Sequence, residues 1–418
     1  MRVVVIGAGV VGLTTCWFLA NQGVEVTLID RNTHVAQETS YANGGQLSYN
    51  YVAPLADPSV LPKLARWLLK ADSPLKFQPR LNVHQWRWCY SFLKACTHSR
   101  VKKTMGEMLD LSLRSRSLMD FLISEYPIDF NLQRTGKIVI YRAAKDLEAA
   151  RAGVDYQRGL GHEQRLVTSE ECVSLEPALR PIGQAIHGGV YTPTEATGDC
   201  QQFCEGLYAH LNAMPNFRAQ LGRDVKALVR DGFRIASVRT TAGDVEADAF
   251  VLAAGLDSNR LASPLGLNLP LLGLRGYSLT AGMSAGFIAP KMSITDADRK
   301  IVYAPLGNKL RMAAMVDIGV TTASLDPNRI ALFKRQVSQV FPDLDLTTSM
   351  PWAGLRPATA TSKPIIDKAG ELSNLWLNVG HGALGFTLAC SSAELVTDLI
   401  LQREPKVNAL AFALSATM

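Results

Sequence analysis

The chain has 418 residues, 47% of them hydrophobic and 19% charged, and carries a net charge of +6. This composition excludes a disordered, collagen-like or Pro-rich chain, and the length predicts two or three domains whose core needs no disulfide or metal staple. The weak positive charge gives no argument for nucleic acid, and 7 cysteines without a Cys-x-x-Cys spacing exclude a disulfide framework and fit a reducing, cytoplasmic setting.

Val3-Val4-Val5-Ile6 is an apolar run of strand length closed by Gly7, too short for a signal peptide or a membrane span. Gly7-Ala8-Gly9-Val10-Val11-Gly12 follows at once. Val11, Thr15, Phe18 and Leu19 then recur at helical spacing, and residues 24–29 read as a second strand ending in Asp30. Strand, glycine turn, helix, strand and acid make the dinucleotide-binding unit. Gly7 permits the tight turn, Gly9 lets the backbone approach a pyrophosphate, and Gly12 lets helix and strand pack closely. The helix N-terminus favours phosphate, and Asp30 can accept from a ribose 2′-OH.

Thr39-Ser40-Tyr41-Ala42-Asn43-Gly44-Gly45-Gln46 is a small-residue, hydrogen-bonding loop, suited to run along a pyrophosphate towards a flavin ring. Residues 51–130 read as helical, most clearly 61–70 and 105–125. Across 59–105 a single acid, Asp72, stands against many Lys and Arg. There Leu61, Leu64, Ala65, Leu68 and Leu69 share one helix face, Lys63, Arg66 and Lys70 take the others, and Trp67 lies between. The pattern fits either a helix with a solvated charged face or contact with an anionic membrane surface. Strands are predicted at 135–142, 185–192, 277–280 and 310–315; with few helices between them, a mostly antiparallel sheet follows. Residues 248–255 form a strand ending in Ala254 and Gly255, and 376–379 another. The Gly-rich turn Gly380–Phe386 then opens a helix to about 402, whose dipole favours negative charge on a reduced flavin. The expected fold is α/β: a discontinuous Rossmann-type FAD-binding domain (1–50, 198–262, 350–418) and a substrate domain (51–197, 263–349) with a mostly antiparallel sheet and a helical insert.

Five motifs carry a resemblance: Glu38-Thr-Ser-Tyr-Ala-Asn-Gly-Gly-Gln-Leu-Ser48, Glu195-Ala-Thr-Gly-Asp-Cys-Gln201, Leu274-Arg-Gly-Tyr-Ser278, Trp352-Ala-Gly-Leu-Arg-Pro357 and Gly380-His-Gly-Ala-Leu-Gly385. Over essentially the whole chain they resemble FAD-dependent amino-acid oxidoreductases related to D-amino acid oxidase and to glycine and sarcosine oxidases. Within that family they are similar to the bacterial dehydrogenases of D-amino acids, with Gly44 where alanine is more common. The resemblance implies FAD contacts from Gly7, Ala8, Gly9, Val10, Val11 and Gly12, from Asp30 and Arg31, and from Ser40, Asn43, Gly44, Gly45, Gln46 and Leu47. It implies further contacts from Val225, Ala254, Gly255 and Gly354. Gly380, His381, Gly382, Leu384, Gly385, Phe386 and Thr387 complete the set, and no metal is expected.

An amino-acid carboxylate over a flavin is best fixed by an arginine fork. Arg356 stands where the family's carboxylate-binding arginine stands; the alternative is an arginine paired with an acid. Arg275 and Tyr277 begin a strand expected to face the flavin, with Tyr277 either on the carboxylate or in the core. Tyr49 and Tyr51 are candidates to line or cover the pocket, and His381 to hydrogen-bond the ring or the substrate. The expected reaction is oxidative deamination of a D-amino acid to a 2-oxo acid and ammonia by hydride transfer to FAD. Electrons would then pass to a quinone or another non-oxygen acceptor, the protein being cytoplasmic and peripheral on the inner membrane face. The alternatives are an oxidase of glycine, sarcosine, D-proline or hydroxyproline, and a non-catalytic FAD-binding subunit.

Overall fold

The computed structural model describes residues 1–62, 73–159, 161–284 and 286–417. Lys63, Leu64, Ala65, Arg66, Trp67, Leu68, Leu69, Lys70 and Asp72, on which the amphipathic reading rests, lie outside the described residues.

The first sheet has six strands in the order Ile365–Lys368, Leu375–Val379, Ala249–Leu252, Arg2–Ile6, Glu25–Asp30 and Phe217–Leu221, parallel except at the Ile365–Lys368 edge. Its central strand is apolar on both faces because both are covered. Val3 and Val5 meet the helices Val10–Ala20 and Gly385–Ile400, while Val4 and Ile6 meet a three-stranded sheet of residues 225–246. The long helix His98–Glu125 leans on the same helical layer, where Arg114 makes a two-pronged ion pair with Glu394.

The second sheet runs Met350–Ala358, Leu272–Gly282, Lys309–Ile318, Ile301–Leu306, Ser293–Asp296, Lys137–Tyr141, Gly188–Thr192, Arg165–Thr168, with Leu75–Phe77 beside Lys309–Ile318. It is antiparallel except where Ser293–Asp296 meets Lys137–Tyr141 and where Leu75–Phe77 joins. Its outer face packs on the helix Pro327–Ser338 through Leu332, Phe333 and Val337. Met350–Ala358, assigned from sequence to the cofactor unit, runs as the edge of this sheet, paired along its length with Leu272–Gly282. The physical reason is long-range pairing: its Gly-Leu-Arg-Pro motif is local, but its partner strand is not.

Candidate active site

The N-terminal turn has no room for side chains. A Cβ on Gly12 would stand 1.8 Å from Gly7 O, and one on Gly7, at φ +113°, 2.5 Å from Ala253 O. Asp30 closes the turn: its Oδ2 accepts from Ala8 N–H at 2.7 Å and its Oδ1 from Asn32 N–H at 2.7 Å. Burial pushes the Asp30 carboxyl upward against those hydrogen bonds. Val10 N–H donates to Ser40 Oγ at 3.1 Å, so the loop after the second strand is tied to the helix start. Gly9, Val10, Val11, Asp30, Arg31 and Ser40 line one cavity of about 1220 Å³, and Val225, Ala254 and Gly255 line it too. Arg31 is committed to Glu38 at 2.8 Å and Asp257 at 2.9 Å on the outer surface. Ala8 and Gly12 act from behind the lining, one through Asp30, the other through packing.

The same cavity continues along Asn43, Gly44, Gly45 and Gln46, then Gly380, His381, Gly382, Gly385 and Phe386. The loop is pinned to the antiparallel sheet. Ser278 Oγ donates to Ala42 O at 2.8 Å, Arg311 Nη1 to Asn43 O at 3.1 Å, and Thr39 Oγ1 to Leu355 O at 2.9 Å. Gly45, at φ +62°, adopts the left-handed conformation glycine allows and lies against Leu306. Leu47 is buried in the core, Leu384 caps the last helix, and Thr387 accepts from Ser48 N–H at 3.2 Å; none of the three lines the cavity. A continuous cradle with a glycine floor, an acid at one end and a helix N-terminus between fits a dinucleotide flavin. Val10, Val11 and Asp30 would hold its phosphates and ribose, and residues 43–46 and 380–382 its ring.

Arg356 is the decisive side chain at the far end. Strand pairing places it opposite Leu274, and its guanidinium lies over Gly276, where a Cβ would fall 2.2 Å from Cζ. Nη1 donates to Met315 O at 3.1 Å. Among the described residues no carboxylate pairs with it, and its remaining surface opens on the cavity. Depth lowers its pKa to about 10, which leaves it a cation at neutral pH. Met315 itself has φ +66°, a rare conformation for a non-glycine residue. Gly354, expected to touch the cofactor, lines the cavity and also makes room for Trp352, since a Cβ there would stand 2.0 Å from that ring.

Arg275 is not brought to this point, and the hydroxyl of Tyr277, a lining residue, is engaged elsewhere. Arg275 Nη2 and Tyr277 Oη both donate to Asp317 Oδ2, at 2.9 and 2.8 Å, while Arg329 Nη2 donates to Oδ1 at 2.8 Å. Strand parity contributes: Gly276 leaves space under Arg356 and Ser278 reaches Ala42 O in the loop, while the polar ends of residues 275 and 277 meet Asp317. Tyr277 is in the cavity lining, while its ring packs in the hydrophobic cluster behind and its hydroxyl is taken by Asp317. Tyr49 is likewise buried away from the cavity, whereas Tyr51 lines it. His381 lines the cavity with its Nε2 buried and, among the described residues, unpartnered, and burial lowers its pKa to about 3, so it is neutral across the physiological range. Asn378 Oδ1 is a second unpartnered buried atom in the lining. Arg311 and Lys137 are two functional candidates that the motifs do not mark. The signal for them is a charged residue in an apolar strand pattern, where burial of the cation demands a polar or anionic partner.

A glycine-floored cradle continuous with a pocket beneath an antiparallel sheet defines a two-unit flavin oxidoreductase. The family model for FAD dependent oxidoreductases matches residues 2–399, and the chain belongs to that FAD-dependent enzyme family. The D-amino acid dehydrogenase 2 of Ralstonia nicotianae is 43% identical over 99% of this chain and 100% of its own length. The protein of the same name from Pseudomonas aeruginosa is 45% identical over 97% of this chain and 96% of its own. Among solved structures, glycine oxidase from Geobacillus kaustophilus shares the fold with a TM-score of 0.79 at 20% identity, covering 99% of this chain and 98% of that one. L-proline dehydrogenase from P. horikoshii shares it with a TM-score of 0.77 at 17% identity, covering 99% and 96%.

Proposed function

We propose that the protein oxidises D-amino acids to imines, which water converts to 2-oxo acids and ammonia, and passes the electrons to a quinone rather than to oxygen. The observation that carries this reading is the guanidinium of Arg356, bonded to the Met315 carbonyl but to no carboxylate among the described residues, in a cavity continuous with the FAD cradle. A cation at that depth calls for an anion to meet it, and its planar fork matches an α-carboxylate. The relatives named D-amino acid dehydrogenase support the substrate class. Arg356 holds the carboxylate, Gly276 leaves space for the fork, and the Met315 carbonyl fixes one edge of it. Neutral His381 offers Nε2 as a hydrogen-bonding atom without adding charge. Bound FAD supplies the acceptor for the hydride that leaves the α-carbon. The uncharged amine's lone pair forms the C=N bond as that hydride departs, so the chain's own work is orientation and exclusion of water. Mixed anaerobically with a panel of D-amino acids, the protein should lose its flavin absorbance, and in air it should form little peroxide. Abundant peroxide would make it an oxidase, and no bleaching by any amine would leave a non-catalytic FAD-binding subunit.

A second observation favours a membrane-bound acceptor. On the helix Val83–Ala95, Val83, Trp86, Tyr90 and Leu93 are exposed and share one face. Residues 73–106 contain Lys and Arg but no Asp or Glu. Among the described residues no helix is long and apolar enough to cross a membrane, so contact would be peripheral. Each basic residue near an anionic surface contributes about 1 kcal/mol, giving salt-sensitive attachment. The protein should sediment with anionic vesicles at low salt and detach as salt rises. Val83→Glu with Tyr90→Glu should abolish sedimentation and leave dye-coupled turnover intact. Wild type that ignores such vesicles at low ionic strength would place electron transfer on a soluble partner.

A further inference from the structure

Behind the wall formed by Gln46 and Tyr51 lies a buried cation that the oxidation chemistry leaves unused. Lys137 opens the strand Lys137–Tyr141 and is 1% exposed. Its Nζ donates to Ser48 Oγ at 2.9 Å and to Gln46 Oε1 at 3.2 Å, and stands 4.1 Å from the centroid of the Tyr51 ring. Gln46 is gripped from its other end as well, its Nε2 donating to Ser293 Oγ and, at 3.4 Å, to Thr295 Oγ1. Gln46 and Tyr51 line the cavity; Lys137 does not. A single ammonium therefore ties the antiparallel sheet to the segment that carries both the end of the FAD loop and the tyrosine beside it.

The charge of Lys137 is incompletely answered. Among the described residues no carboxylate lies within ion-pair distance of its Nζ. Glu195 is the acid that faces it, but Glu195 Oε1 accepts from Asn50 N–H at 2.7 Å and Asn50 Nδ2 at 2.9 Å, and Oε2 has no partner among the described residues. Burial raises the pKa of Glu195, partly offset by Lys137. The other titratable groups nearby are the phenols of Tyr51, which is 39% exposed, and of Tyr141, which burial pushes up; both are neutral at physiological pH. Thr192 and Ser293, opposite Lys137 on the flanking strands, carry no charge.

We propose that Lys137 is a positioning residue of the substrate site: its ammonium holds Gln46 and Tyr51 in the cavity wall and gives that wall a positive charge that helps retain a carboxylate ligand. The inference rests on the carboxylate role given to Arg356. Burial lowers the Lys137 pKa to about 8, against the opposite pull of Glu195. The side chain is a cation below that pH; as pH rises through it, both the charge and the attraction to the Tyr51 face are lost.

The test uses the FAD-loaded protein and binding rather than turnover. Pyruvate, a 2-oxo acid with no amine to titrate, is added at a series of pH values and its affinity read from the flavin absorbance. In wild type the affinity should fall by about tenfold between about pH 7 and about pH 9.5, the loss of one nearby charge. Lys137→Arg keeps its charge throughout and should flatten the profile. Lys137→Met should bind weakly at every pH; if it does not fold, the arginine variant alone decides. An alkaline loss that is the same in wild type and Lys137→Arg overturns the role of Lys137 and leaves Arg356 standing. Wild type that binds no 2-oxo acid at any pH overturns the carboxylate reading of Arg356, and this inference falls with it.

Discussion

Arg356→Ala is expected to lower kcat/KM for a D-amino acid by ~100-fold or more while FAD stays bound. Among the described residues the guanidinium has one acceptor, Met315 O, so the rest of its hydrogen-bonding capacity is available to a ligand. Removing it leaves a buried carboxylate without its charge-assisted contacts, on the order of 3 kcal/mol, or ~100-fold in rate. Arg356→Lys should recover part of the activity, since an ammonium keeps the charge but not the fork. Gly276→Ala separates position from charge. The new Cβ would overlap the Arg356 fork, 2.2 Å from Cζ, and the flexible end of the side chain must move aside. A shift of ~1 Å in a positioning group can cost up to ~100-fold, so kcat/KM should fall at least ~10-fold with FAD content and melting temperature little changed. Near-normal kinetics in both variants would remove Arg356 from the site.

Gly12→Ala should be the most damaging single methyl in the chain. Its Cβ would stand 1.8 Å from Gly7 O, and Gly7 cannot retreat because its own Cα already faces Ala253 O. Backbone meets backbone, so no rotamer change relieves the overlap. Overpacking of this kind costs roughly 3 kcal/mol, and the displaced turn is the one that opens the helix Val10–Ala20, whose N-terminus would face the FAD phosphates. The variant should appear without FAD and melt well below wild type. A yellow protein with an unchanged melting temperature would show that the turn tolerates a side chain and that the packing argument is wrong.

These two sites differ in how far the sequence could lead. The turn at residues 7–12 was legible because strand, glycines, helix and Asp30 interact within one short stretch of chain. The antiparallel sheet was legible in type but not in edges: Met350–Ala358 belongs to it only because Leu272–Gly282 pairs with it from far along the chain. Arg275 and Tyr277 mark a finer limit. Their motif is legible in the sequence, but a strand turns alternate residues to opposite faces: Gly276 leaves the space beneath Arg356, Arg275 stays outside the lining, and Tyr277, though in the lining, gives its hydroxyl to Asp317. Asp317, which takes both displaced side chains and Arg329 besides, carries no local signal of that role. Lys137 was missed for the same reason, since its partners Gln46, Ser48 and Tyr51 come from a distant loop.

The sequence by itself therefore determined the α/β class, the glycine-floored dinucleotide unit and the motif that contains Arg356, all properties of local spacing and residue size. Only the tertiary structure decided which arginine keeps an open fork. Arg275, Arg311 and Arg329 are each drawn to an acid on another element, Asp317 or Asp199, while Arg356 meets a carbonyl and a cavity. Charge pairing acts through space, so which cation is left for a ligand is settled only when strands distant in the chain lie side by side.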